Sequence, residues 1–156
     1  SEIERSAHAK VAVLFIDVDD FKFINDRFGH SVGDEVIKYV AGCIKQRVKG
    51  SGFAGRFGGD EFVLCITDPK QIEEIESLSL DLIDELYEGY HSELANVSIN
   101  VKASIGIAFF PEHGDDSDKI VAAADEAMYF VKKNGKANYH IYQPEDSQIA
   151  DLQHTL

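Results

Sequence analysis

Positive charge is scarce in this chain. Fifteen Lys and Arg stand against 28 Asp and Glu, giving a formal net charge of −13 over 156 residues. So acidic a surface repels duplex nucleic acid and anionic lipid, so the expected partners include no nucleic acid and no direct membrane contact. A polyphosphate ligand meets the same repulsion and needs bound cations to neutralise it locally. Cysteine is nearly absent. Cys43 and Cys65 each sit among apolar residues and read as two buried free thiols rather than a disulfide, which fits a reducing, cytoplasmic setting. No apolar run approaches the roughly 20 residues of a membrane span, and no signal-peptide pattern opens the chain. Internal repeats and low-complexity segments are missing too. What remains is a single globular domain. The length suits one core, and 44% hydrophobic with 28% charged residues is unlike disorder.

The first strong signal is "VAVLFI" (Val11 to Ile16), a continuous β-rich run typical of a central strand covered on both faces. It ends abruptly in "DVDD". "SVGDEVIKYVAGCIKQRV" places Val32, Val36, Val40 and Cys43 on one helical face, widened by Ile37, Ile44 and Val48. Next, "SGFAGRF" and "EFVLCI" flank Gly58-Gly59, a pair suited to the positive φ of a hairpin turn. Ile72, Ile75, Leu78, Leu82, Ile83 and Leu86 predict another helix. "VSINVKASIGIAFF" alternates as one long strand, with Val97, Ile99, Val101, Ala103 and Ile105 on one side. "DDSDKIVAAADEAMYFVKK" is a third long helix, acidic at its start and basic at its end, as the helix dipole prefers. Asn134-Gly135 stop it, and "NYHIY" is a short closing strand. The order predicts an α+β fold: a ferredoxin-like or palm-type central sheet containing an antiparallel hairpin, flanked by helices. Residues 1–10 read as the end of a helix whose beginning lies outside the sequence, residues 11–143 as the domain, and residues 144–156 as a polar linker or the start of a linker helix.

In such a sheet the first strand lies beside the hairpin, so the end of "VAVLFI" and the hairpin tip can face one another. Asp17 and Asp19 leave the strand at alternating positions, and Asp60 and Glu61 adjoin the turn glycines. Carboxylates from separate segments converging near a strand end suit Mg²⁺, which takes a few carboxylate oxygens, keeps waters and accepts phosphate oxygens. For any one of these acids, a solvated turn residue is the plainer reading.

The residues also carry a specific resemblance. "GGDEF" at Gly58–Phe62 is the signature of the GGDEF diguanylate cyclase family. "DVDDFKFINDRFGHSVGDE" (Asp17 to Glu35), "SIGIAFFPEHG" and "ADEAMYFVKKNGKANY" resemble its other motifs, in order, over about residues 11–142. The resemblance implies a bacterial signalling enzyme that condenses two GTP into cyclic di-GMP, releasing two pyrophosphates. Two domains in a homodimer each supply one GTP, with two Mg²⁺ per site and Mn²⁺ as a substitute. It implies Asp17, Asp60 and the Val18 carbonyl as metal ligands, with Asp60 or Glu61 assisting deprotonation of the ribose 3′-hydroxyl. A salt bridge at a strand start is the alternative for Glu61. It implies phosphate contacts from the Phe21 and Lys22 N–H groups, with the Lys22 ammonium offsetting charge during transfer. Asn25 and Asp34 would read guanine, since a carboxylate can accept from both the ring N–H and the amino group, a donor pair adenine lacks. Asp34 also suits a helix cap with Ser31 as N-cap. His30 matches a substrate-site position and equally suits a structural role. Lys132 and Lys136 would hold the terminal phosphates, or simply cap the helix end. Lys136 replaces the family's usual Arg, keeping the charge and losing the bidentate fork.

Two departures carry expectations of their own. Many relatives have an Arg-x-x-Asp pair before the hairpin, where product binds and inhibits. "KGSG" (Lys49 to Gly52) has neither residue, so no product inhibition is expected there. The family's Asp-x-Leu-Thr-Gly-Leu-x-Asn-Arg segment does not appear in residues 1–10. The polar tail suits a link to a fused EAL-type phosphodiesterase, and with it an alternative function: a non-catalytic GTP-binding module that regulates that domain. The parent protein is either wholly cytoplasmic or anchored to a membrane through another part.

Overall fold

The structure, a computed structural model, describes residues 9–147. The elements run β1 (Val11–Val18), α1 (Phe21–Phe28), α2 (His30–Val48), β2 (Gly52–Gly58), β3 (Glu61–Thr67) and α3 (Ile72–Glu88). Then come β4 (Tyr90–Ser92), β5 (Val97–Ile99), β6 (Ala103–Phe110), α4 (Ser117–Lys133) and β7 (Tyr139–Ile141). Five strands form one sheet in the order β2-β3-β1-β6-β7, and β4 and β5 form a separate hairpin. The β2–β3, β3–β1 and β1–β6 pairs are antiparallel, and β7 joins β6 in parallel. This is the expected α+β sheet with a parallel edge strand added.

β1 is central because both of its faces are apolar. Ala12, Leu14, Ile16 and Val18 join the larger core, with buried residues of α2 and α3. Val13 and Phe15 face the other way and pack with Ile120, Ala124 and Met128 of α4. Burying each large side chain contributes roughly 1.5–3 kcal/mol. The alternation continues past the apolar residues, which puts Asp17 on the α4 face. Gly106 lets that helix sit close, since a Cβ there would lie 2.0 Å from the Ala124 carbonyl oxygen and 2.2 Å from the Met128 nitrogen.

The alternating stretch 97–110 is two strands rather than one. Its pattern of buried residues persists, but β5 bonds to β4 and β6 bonds to β1, with residues 100–102 between them. The hairpin turn also departs from expectation. Neither Gly58 nor Gly59 takes a positive φ; the described glycines that do are Gly29, Gly50, Gly89 and Gly135. A register shift between Arg56 and Gly58 supplies the extra residue and twist instead. Ser31 caps nothing: α2 begins at His30, after Gly29 at φ 93°, and no side-chain bond caps it. That leaves Asp34 exposed inside the helix. Both thiols are free, Cys43 buried and Cys65 only half-buried. α4 stops before Asn134-Gly135 as predicted. Residues 144–147 make a helical turn in which Asp146 accepts from the Gln143 N–H at 2.8 Å. Most of the reading of residues 1–10 as a helix end, and the tail beyond 147, lie outside the described residues. Among those described, no helix is long and apolar enough to cross a membrane.

Candidate active site

The end of β1 and the hairpin tip do meet. Asp17 stands opposite Glu61 in the β1–β3 register, and the Val18 N–H donates to the Asp60 carbonyl at 3.1 Å. The tip is tied down by Arg56, whose Nε donates to the carbonyls of Gly58 (3.2 Å) and Gly59 (3.0 Å), while Nη2 reaches Gly59 at 2.5 Å. Gly58 leaves space for the Glu61 carboxylate, since a Cβ there would lie 3.1 Å from Oε1.

Lys132, in the last turn of α4, reaches across to β1. Its ammonium is 2.6 Å from Asp19 Oδ1 and 3.4 Å from Asp17 Oδ2. Asp19 is fully buried and also accepts from Ser104 Oγ at 2.7 Å and the Ala137 N–H at 3.0 Å. Asp17 Oδ1 is buried too but has no hydrogen-bond donor. Burial pushes the Asp17 carboxyl up to about 7. The Lys132 ammonium pulls it down, and the Asp60 carboxyl against it adds to the rise. Burial likewise raises Glu61, helped by the Asp125 and Asp60 carboxylates and opposed by Lys132. The corner is therefore short of cationic charge.

The remaining expected residues lie on α1, on α2 and beyond α4, with varied burial. α1 follows Asp20, which lies in the left-handed region at φ 57°, and no side chain caps it. Its first N–H groups, from Phe21 and Lys22, start the helix there. Lys22 and His30 are exposed. Asn25 lies against α2, where its Oδ1 fills the space that a Cβ at Gly33 would occupy, 1.8 Å away. Asp34 follows Gly33 directly in α2 and is exposed. Lys136 lies beyond α4 and pairs with Asp20 at 2.8 Å, which holds the Asp20 carboxyl below its ordinary value.

One contributor, Arg56, went unread in the sequence as a site residue. Asp19 was read with Asp17 among the acids at the strand end, but its partners Ser104, Lys132 and Ala137 were not. Arg56 carried no signal beyond its place beside the glycines.

Among the described residues, no group of three or more His, Cys, Asp or Glu is arranged as a ready-made ion cage. Asp17 and Asp60 with the Val18 carbonyl offer a few oxygens only, the partial set Mg²⁺ prefers when waters and phosphates complete its shell. The donorless oxygen of Asp17, on a carboxyl that burial disfavours as an anion, is what a divalent cation relieves. The donor set fits.

A family profile described as "Diguanylate cyclase, GGDEF domain" matches residues 1–138. The bifunctional diguanylate cyclase/cyclic di-GMP phosphodiesterase MucR of Pseudomonas aeruginosa is 35% identical over 147 residues, which is 94% of this chain and 21% of that protein. The cyclic di-GMP phosphodiesterase PdeR of Escherichia coli is 32% identical over 146 residues, 94% of this chain and 22% of PdeR. The chain thus spans between about a sixth and just over a quarter of the length of such curated relatives. Among solved structures, a form of PA1120 (TpbB or YfiN) from P. aeruginosa comprising only its GGDEF domain superposes with a TM-score of 0.87 at 29% identity, covering 96% of this chain and 88% of that one.

Proposed function

We propose a function from one premise: the chain belongs to the GGDEF family of diguanylate cyclase domains. The reading is that it condenses two GTP into cyclic di-GMP, with two copies of the domain each presenting one nucleotide. The observation that carries it is the Asp17 oxygen buried without a donor where β1 meets the hairpin acids. Asp17, Asp60 and the Val18 carbonyl would hold Mg²⁺, which when bound acidifies a hydroxyl and neutralises phosphate charge.

The chain's own groups do the rest. The uncapped start of α1 offers the Phe21 and Lys22 N–H groups to phosphate oxygens. The Lys22, Lys132 and Lys136 ammoniums offset charge as it develops. Asn25 and Asp34 bind the guanine edge. Glu61 or Asp60 takes the proton from the ribose 3′-hydroxyl. That oxygen then bonds to the α-phosphorus of the other GTP, the bond to the bridging oxygen breaks, and pyrophosphate leaves. The step occurs twice per product. A carboxyl raised by burial, as Glu61 is, accepts a proton more readily at neutral pH than an ordinary one.

The second reading is a non-catalytic GTP-binding module that regulates an attached EAL-type phosphodiesterase. The observation favouring it is that PdeR, 32% identical, is named as a phosphodiesterase alone. The test is to incubate purified chain with GTP and Mg²⁺, measuring pyrophosphate and cyclic dinucleotide, beside Asp60→Asn. The cyclase reading expects product from the unsubstituted chain, a rate per molecule rising with protein concentration, and a loss of about a hundredfold or more in the variant. GTP binding without product from either protein favours the regulatory module.

A further inference from the structure

Lys132 has two carboxylates within reach and is shared unequally between them. It lies 2.6 Å from Asp19 and 3.4 Å from Asp17. Asp19 is set to keep it. Its carboxylate is fully buried, and Ser104 Oγ and the Ala137 N–H fix its orientation from β6 and from the loop after α4. Its own N–H donates to the Lys102 carbonyl at 2.8 Å, so its backbone is pinned as well. Asp17, on the same face of the chain, is left with one oxygen that no donor reaches.

We propose that Asp19 is a positioning residue for the ion site: it holds the Lys132 ammonium off Asp17, so that the Asp17 carboxylate stays open to a divalent cation. The inference rests on the metal reading given under Proposed function. Its logic is competition. An ammonium and a divalent cation seek the same carboxylate oxygens, and a lysine this close to Asp17 closes on it unless a nearer anion holds it. Ser104 shares Oδ1 with the lysine and the Ala137 N–H holds Oδ2, so the lysine cannot swing the carboxylate after it. Neutralising Asp19 while leaving its shape removes the competing anion and gives Asp17 an internal counter-ion.

Mn²⁺ alone, without nucleotide, titrated into the 156-residue chain and followed by the electron paramagnetic resonance of free Mn²⁺, tests this without any turnover. Asp19→Asn is expected to bind Mn²⁺ about ten- to hundredfold more weakly than the unsubstituted chain. The double variant Asp19→Asn with Lys132→Met, which removes the competitor, is expected to regain most of that loss. Equal binding by Asp19→Asn and the unsubstituted chain overturns the role, as does a double variant as weak as the single one. If Asp19→Asn does not fold, the unsubstituted chain still decides. The ¹⁵N resonance of the Lys132 ammonium should keep its slow exchange when Mg²⁺ is added, because its partner is Asp19. Release of that ammonium by Mg²⁺ overturns the proposal. An unsubstituted chain that binds no Mn²⁺ even with GTP present defeats the metal reading itself and this proposal with it, a result distinct from binding that ignores Asp19.

Discussion

Lys132 and Lys136 stand four residues apart, and each grips an aspartate of the short turn between β1 and α1. Lys132 on Asp19 is four-fifths buried against a carboxylate with no exposure. Lys136 on Asp20 is 41% exposed, against a partner 59% exposed. The same two functional groups therefore serve different ends. An ion pair out of water is costly to break from one side, because the survivor is left charged and unsolvated. An exposed pair is screened and gives up its partner cheaply. Lys132 is a fixed cation among the acids, while Lys136 can move off Asp20 at little cost.

Substitutions can break that contrast, starting where the effect is largest. Lys132→Met leaves Asp19 as a buried, unpaired anion and should cost about 3–5 kcal/mol of folding stability. Denaturant unfolding measures the loss, and an unchanged midpoint would contradict the contrast. Asp17→Asn should act in the opposite direction. The folded chain raises this carboxyl from 3.8 to about 7, so folding is favoured below 3.8 and the favour is lost as pH climbs through 7. Removing the charge should therefore stabilise the metal-free chain by about 1–3 kcal/mol at pH 8, allowing for its partial exposure, with little gain at pH 3.5. The same variant should lose its Mn²⁺ binding. Lys136→Ala should leave the thermal midpoint where it was and weaken GTP binding by roughly tenfold through loss of a charged contact. Lys136→Arg should strengthen that binding by restoring the bidentate fork. The smallest effect concerns product. Cyclic di-GMP added to a working enzyme should not change its rate, since Lys49 to Gly52 lack the inhibitory pair. A Gly52 side chain could not be added freely either, because its Cβ would lie 1.8 Å from the Cys65 carbonyl oxygen.

Legibility in the sequence followed the range over which each cause acts. β1, α2 and α4 were readable because their apolar spacing is local, and the facing of Asp17 and Glu61 followed from strand order. The break between β5 and β6 was not readable, because Val97 through Ile105 keep one period while their backbone partners change. The turn at Gly58-Gly59 was misjudged for a similar reason. Two glycines permit a positive φ, whereas the register shift beside Arg56 decides whether one is needed. The role of Asp19 was hidden by distance: its side-chain partners Ser104, Lys132 and Ala137 lie 85, 113 and 118 residues further on.

The tight seat of α4 at Gly106 has a consequence for anyone altering this protein. The last turn of that helix carries Lys132, and its register over the sheet is set where no side chain separates the two backbones. A methyl group at position 106 would pry up the rod nearer its middle and tilt its far end. A mutation that touches none of the acids, opposite Phe15 on the sheet, would thus misplace the ammonium among them, and a library screened for lost activity should turn up this silent-looking glycine.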